Sequence, residues 1–189
     1  ISLLDEHNEA TSVIKNATEA IMLLDKKILK EKHFKNLSGW RDTVPQLFAV
    51  STWVGYDIDG RSDISWLDSF RLRLSEKKTS LDLYIEKLLP LRESHSQVVQ
   101  IIDELSVERS ATEADLERFS TIENNGFVDC ANRLSERKDK LIASRAFAER
   151  LRKIAADTQN PEEAIELLAI AGDIASNGFG LGELHLRIN

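Results

Sequence analysis

The chain has 189 residues, 42% of them apolar and 30% charged, with a formal net charge of -7. That length supports one domain with a sizeable core, and the balance excludes wholesale disorder. The negative charge argues against a general grip on nucleic acid, which needs a basic face against phosphates, and no apolar run approaches the roughly 20 residues of a membrane span.

A single cysteine, Cys130, rules out an internal disulfide framework and suits a reducing, cytoplasmic setting. There is no basic-then-apolar leader of the secretory kind. The sequence opens at Ile1 and stops at Asn189 just after a strand-like run, the pattern expected of a piece of a longer polypeptide. In chain order the dominant signal is helical. From about Leu3 to Lys32, apolar residues fall at Val13, Ile14, Ala17, Ala20, Ile21, Leu24, Ile28 and Leu29, one stripe at three- and four-residue spacing. Residues 36–63 follow as an acidic, Gly/Asp-rich turn segment, long for a connection and therefore expected to make contacts of its own. Asp63 or Ser65 is placed to cap the next helix, whose apolar set runs from Trp66 through Leu67, Phe70, Leu74, Leu81 and Tyr84 to Leu89, ending near Pro90. Ser94 or Ser96 opens a shorter helix through Leu105.

Thr112 with Asp115 three residues on gives a capping-box pattern and predicts a new helix start. Helical sequence then runs to about Thr158, with a break at Asn124-Asn125-Gly126. Asn160-Pro161-Glu162-Glu163 predicts a strong helix start: a capping Asn, proline at the first position, then acids at the positive end of the dipole. That helix is expected to stop at Asn177-Gly178. Residues 179–189 change character. Phe179-Gly180-Leu181-Gly182 is too glycine-rich for helix, and Glu183 to Ile188 alternates with the period of a strand. Alone among helices, such a strand is expected to lack a ladder partner or to pair with a second copy. The expected fold class is therefore all-α, a single domain over 1–189 built as a long antiparallel helical bundle with one C-terminal β-strand.

The most distinctive stretch is Trp53-Val54-Gly55-Tyr56-Asp57-Ile58-Asp59-Gly60. Two aspartates sit between two glycines, and the preceding Leu47, Phe48, Val50, Trp53 and Val54 predict a packed turn. Asp57, Asp59, Arg61 and Asp63 have the alternate spacing of a calcium loop, but Arg61 stands where an oxygen is wanted. The position of that loop's bidentate glutamate is Asp68. The better reading is a structural turn whose carboxylates accept backbone and arginine hydrogen bonds, with Arg71 or Arg73 as the partner. No metal site is expected. His7, His33, His95 and His185 are scattered without ligand spacing. Cys130 reads as a small buried hydrophobe, and Trp40, Trp53 and Trp66 as core anchors.

Ser51-Thr52-Trp53-Val54-Gly55-Tyr56-Asp57-Ile58-Asp59-Gly60-Arg61 resembles the Ser-Trp-x-Gly-Gly-Asp-Arg-Asp-Gly-Asn-Pro signature of phosphoenolpyruvate carboxylases. Phe179 to Asn189 resembles that family's later Phe-Gly-x-x-Leu-x-x-Leu-Asp-Ile-Arg-Gln patch. The two patches occur in the family's order, across roughly residues 45 to 189. Trp53, Gly55, Asp57, Asp59 and Gly60 match the signature. Tyr56 replaces its second glycine, Ile58 its arginine, and Arg61-Ser62 its Asn-Pro.

The resemblance implies a central helical portion of a lyase that joins bicarbonate to phosphoenolpyruvate, giving oxaloacetate and phosphate through carboxyphosphate and an enolate. It implies a parent α/β barrel contributing the terminal strand, magnesium as the parent's cofactor and none in this portion. The rest of the parent polypeptide is the implied partner, within a homo-oligomer, commonly a tetramer. Both substrates are anions, so cations must face the charge that builds up. With a small offset between the two patches the family arginine falls at or next to Arg187, which is the candidate catalytic residue, with His185 sharing its strand face. The family's His-Pro-Thr histidine, magnesium carboxylates and mobile glycine-rich loop have no counterpart here, so carboxylation by this portion alone is not expected. The competing reading is a helical protein-interaction module without catalysis, which the long amphipathic helices also fit.

Overall fold

Cap chemistry decides where the first helix begins. Ser2 and Asp5 form a capping box, each side chain accepting the other's amide at 3.2 Å, and helix α1 runs from Leu3 to Phe34. The computed structural model describes residues 2–57, 61–122, 126–137 and 143–184. Among them it is all-α in class, with six helices and a two-stranded parallel sheet.

The buried strip of α1 is His7, Ile14, Thr18, Met22, Asp25 and Leu29. This corrects the expected stripe, since Val13 and Leu24 face solvent. The helix packs chiefly along one neighbour, so its buried strip is narrower than its apolar one and takes in polar residues that lie on the contact line. After a 3-10 turn at Trp40–Asp42, the chain crosses the last long helix. Gly172 makes that crossing possible: a Cβ there would collide with the Pro45 carbonyl. The chain then forms strand β1, Ser51–Thr52.

Helix α2, Trp66–Leu88, is capped by Ser65 in a box with Asp68, so of the two candidate caps Ser65 serves. It ends in a 3-10 turn, Leu89–Leu91, at Pro90. Helix α3, Ser96–Thr121, is continuous, which corrects the expected new start at Thr112. Thr112 is fully buried in the helix interior, and the Asp115 carboxylate accepts from Arg118 and Arg137 at 3.2 Å instead of capping. Tertiary packing overrides the local signal here. Arg71 to the Phe119 carbonyl, Lys77 to Glu108 and Arg109 to Asp82 tie α3 antiparallel to α2 along its length.

Helices α4, Phe127–Glu136, and α5, Ser144–Asp157, follow. Asn124 and Asn125 of the expected break lie outside the described residues, and α4 starts just after Gly126. Helix α6, Pro161–Asn177, begins and ends where the sequence predicts. Asn160 Oδ1 accepts the Glu162 amide at 3.0 Å, and Gly178 follows at φ 68°.

Helix α6 is the centre of the fold. From Ala164 to Ile174 every residue but Glu166 is buried, on all sides of the helix, the pattern of an apolar core helix. Lys26–Glu166 and Lys30–Glu162 ion pairs align α1 antiparallel on it. α5 packs against its other side, and Phe147 meets Phe179 edge-on at 5.2 Å beyond its end. A smaller cluster, Leu67, Leu74 and Phe119, joins α2 to α3, with Cys130 of α4 half-buried against it.

The tryptophans need a correction. Trp53 is 65% exposed and Trp66 46% exposed. Only Trp40 packs on the main core, with His33 beside it at 4.9 Å. Trp66 is the first residue of α2 and Trp53 lies in the turn after β1, neither among the residues of the main core. Among the described residues no helix is long and apolar enough to cross a membrane.

Candidate functional site

The two sequence patches that stand far apart in the chain meet at the sheet. Strand β2, Glu183–Leu184, pairs in parallel with β1, with Ser51 opposite Glu183 and Thr52 opposite Leu184. This corrects the expectation of an unpartnered terminal strand. The ladder begins with the Glu183 amide donating to the Val50 carbonyl at 2.8 Å. Gly182 permits that approach, because a Cβ on it would lie 2.7 Å from the same carbonyl oxygen. On the far side of Val50, its amide donates to Asn177 Oδ1 at 3.3 Å, so the end of α6 holds β1.

Behind that contact sits a buried polar chain. Asn177 donates to Asp173 at 2.8 Å, and the Tyr84 hydroxyl lies 2.7 Å from Asp173 and 3.1 Å from the Gly178 carbonyl. Burial pushes the Asp173 carboxyl up, with the bonds from Tyr84 and Asn177 opposing. Asp25 of α1 is pushed up to about 6 by its own burial and by the charge of Asp173.

After β1 the chain turns. The Val54 amide donates to Thr52 Oγ1 at 3.2 Å and the Tyr56 amide to the Trp53 carbonyl at 2.9 Å. Gly55 adopts φ 87°, and a Cβ there would collide with Leu72 of α2. Its carbonyl accepts from Ser69 Oγ at 2.6 Å. The turn is thus packed as expected, but by Gly55 and Tyr56. The preceding apolar run is largely outside: Leu47, Phe48 and Trp53 are exposed. Apolar residues with no strand or helix above them cannot bury themselves, whereas the turn is pulled down by its bond to α2.

Tyr56 is 2% exposed. Burial, reinforced by the negative charge of Glu76, drives its hydroxyl well above the ordinary phenol range, and Arg73 pulls the other way. Glu76, also 2% exposed, accepts on one oxygen from His7 Nε2 and on the other from Arg73 Nη1, both at 3.0 Å. Arg73 Nη1 also donates to the Gly182 carbonyl at 3.1 Å. Four segments therefore converge on one buried carboxylate: α1 through His7, the turn through Tyr56, α2 itself, and the approach to β2. Spacing along the sequence could not reveal this group, because apart from Arg73 and Glu76 its members come from distant elements.

Of the signature residues, Trp53 lies outside, Gly55 is buried and Asp57 half-buried. Asp59, Gly60, Ile58, His185 and Arg187 fall outside the described residues. The arginines suggested for the acidic turn are engaged as follows: Arg71 with the Phe119 carbonyl at 2.7 Å and that of Ile122 at 3.3 Å, Arg73 as above. Arg61 bridges Glu6 at 2.5 Å and Asp63 at 2.7 Å, holding the Asp63 carboxyl below the usual range. Among the described residues, no three His, Cys, Asp or Glu side chains are grouped so that they could hold a metal ion. No known family model, characterised protein or solved structure matches the chain.

Proposed function

We propose that the chain is the central helical portion of a phosphoenolpyruvate carboxylase-like polypeptide, cytoplasmic and without carboxylase activity on its own. The observation that supports this reading is the pairing of Ser51–Thr52 with Glu183–Leu184. The only two stretches that resemble the family are adjacent parallel strands joined through helices, the connection from which an α/β barrel is assembled. Gly55 adds to it: the retained signature glycine has a positive φ that a side chain would resist. The second signature glycine is replaced by Tyr56, which is not among the positive-φ positions, so the turn tolerates the change.

In this reading Arg187 supplies a permanent, planar cation toward phosphoenolpyruvate and bicarbonate, where negative charge accumulates. Magnesium is a matter for the rest of the parent polypeptide. The family's metal-binding carboxylates have no counterpart here, and the described residues form no group that fits the ion. The test is a coupled assay for bicarbonate-dependent oxaloacetate formation. The complete parent polypeptide is expected to turn over and the present chain alone to be silent; silence from both would end the proposal.

One observation favours the alternative, a helical interaction module. Phe34 is 88% exposed, and Leu47, Phe48 and Trp53 are exposed beside β1. In the carboxylase reading the remainder of the barrel covers the residues near β1. In the module reading a different protein does, and the same assay separates the two.

A further inference from the structure

The apolar stripe of α1 is wider than the strip it buries, and the remainder forms a surface of its own. Ala10, Val13, Ala17, Ala20 and Leu24 recur at alternate three- and four-residue spacing, on a flank about a third of a turn from the strip packed on α6. Val13 is 67% exposed and Leu24 40%; Ala20 is exposed too, and Ala10 and Ala17 are half-buried. Ile21 and Ile28, also half-buried, lie between this flank and the buried strip. At its C-terminal end the flank sinks into a hollow of about 350 Å³ between Leu24, Ile28, Lys32 and Leu37.

The charges beside the flank decide what fits it. Glu9 and Lys27 are eighteen residues apart, about five whole helical turns, so they share its outer edge. Both are exposed, and among the described residues neither takes part in an ion pair. Their neighbours Glu6, Lys26 and Lys30 are engaged with Arg61, Glu166 and Glu162. An acid toward one end and a base toward the other, on one edge, make a pattern that complements itself when turned end over end. Midway between them is residue 18, next to Ala17, whose small side chain lets two helix backbones approach.

We propose that this flank of α1 docks the same flank of a second copy of the chain, antiparallel, about a two-fold axis beside Ala17. The pairing does not depend on the carboxylase reading. Glu9 of each copy then comes level with Lys27 of the other, giving two symmetric ion pairs along the apolar seam. Val13 falls between Ile21 and Leu24 of the second copy, and Ala17 and Ala20 meet at the axis, which allows an interaxial distance of about 8 Å. The first turns of the second copy, with Leu3 and Ala10, reach the hollow beside Leu37. Glu6 and Glu31 also come level, but each is already neutralised, by Arg61 and by Lys35 at 3.4 Å. A parallel pair would set Glu9 on Glu9 and Lys27 on Lys27 and is disfavoured. Helix α1 is about 48 Å long, and pairing most of that length buries on the order of 1,200 Å² in total, the area of a specific interface.

Sedimentation equilibrium of the present chain and its variants tests this, with far-UV dichroism to check that each variant is folded. The unmutated chain is expected to dimerise with a Kd on the order of micromolar. V13D and L24D, at exposed positions outside the core clusters, are expected to weaken association about a hundredfold or more. E9K and K27E each set like charges opposite one another twice and are expected to weaken it about tenfold. The combined E9K/K27E variant is expected to restore it, and the two single variants to associate with each other when mixed. On oxidation, A17C in a C130S background is expected to cross-link two chains, both as the present chain and within the complete parent polypeptide. A chain that stays monomeric at about 100 μM overturns the pairing. So does a dimer indifferent to V13D and L24D, or one in which the double charge swap fails to restore what either single swap removes. Cross-linking of the present chain but not of the parent polypeptide assigns the flank to the parent's own remainder, and overturns it equally.

Discussion

Gly55 and Tyr56 show how a sequence signature divides into what the backbone demands and what it merely permits. Gly55 combines φ 87° with contact to Leu72, so Gly55→Ala is expected to destabilise the chain by about 2–3 kcal/mol, seen as a lower urea midpoint at constant slope. The acidic residues make a second statement at this scale. Asp25, raised from 3.8 to about 6, holds a proton in the folded chain that the unfolded chain has released. Its contribution to stability is therefore present below about pH 4 and lost as pH rises to about 6. Asp173 acts in the same direction. Asp25→Asn should remove its share of that decline, so that the difference in urea midpoint between wild type and variant changes sign or size between pH 4 and 7; a constant difference would contradict the assignment. Little of this was legible beforehand. The need for glycine at 55 could be read from the turn, but a buried aspartate on α1 looks in sequence like any polar residue beside an apolar stripe.

At the scale of elements, the sequence was most legible where local chemistry and packing agree. Asn160-Pro161 and Asn177-Gly178 bound α6 as expected, because the caps coincide with the limits of its apolar surface. Asn160→Ala is expected to lower stability by about 1 kcal/mol, with the loss localised by hydrogen exchange to the first turn of α6. Thr112–Asp115 misled because the same residue types serve another purpose. Glu108 and Asp115 lie buried on one side of α3 and receive Lys77 and Arg137 from its neighbours. Removing the Glu108 carboxylate leaves those cations facing each other, so Glu108→Ala should cost about 3 kcal/mol or more, measured by chemical denaturation. The strand was legible as a strand, from its alternation, but its partner was not. Ser51–Thr52 carries only two residues of pattern, far too short to announce itself.

For the whole molecule, α6 carries the architecture. The main core cluster is built around it, and Leu168 at its centre has no exposed surface. Leu168→Ala should destabilise by about 2–5 kcal/mol and lower a common unfolding midpoint for the helices that share this core, since one core unfolds as one unit. The all-helical class could be read from periodicity alone, because six amphipathic or apolar segments admit few other solutions. The site could not, because it is made where four segments cross, and crossing points are properties of the packed object and not of any stretch of letters.

The parallel pairing of Ser51 with Glu183 closes a loop of roughly 130 residues. Closing a loop that long costs about 2 kcal/mol more than closing one a tenth its length, and two ladder positions give little in return until the intervening rods have docked. Assembly should therefore finish at this spot. During synthesis the first strand must wait for roughly 130 further residues to leave the ribosome, and any chemistry that depends on the pair is withheld until they have.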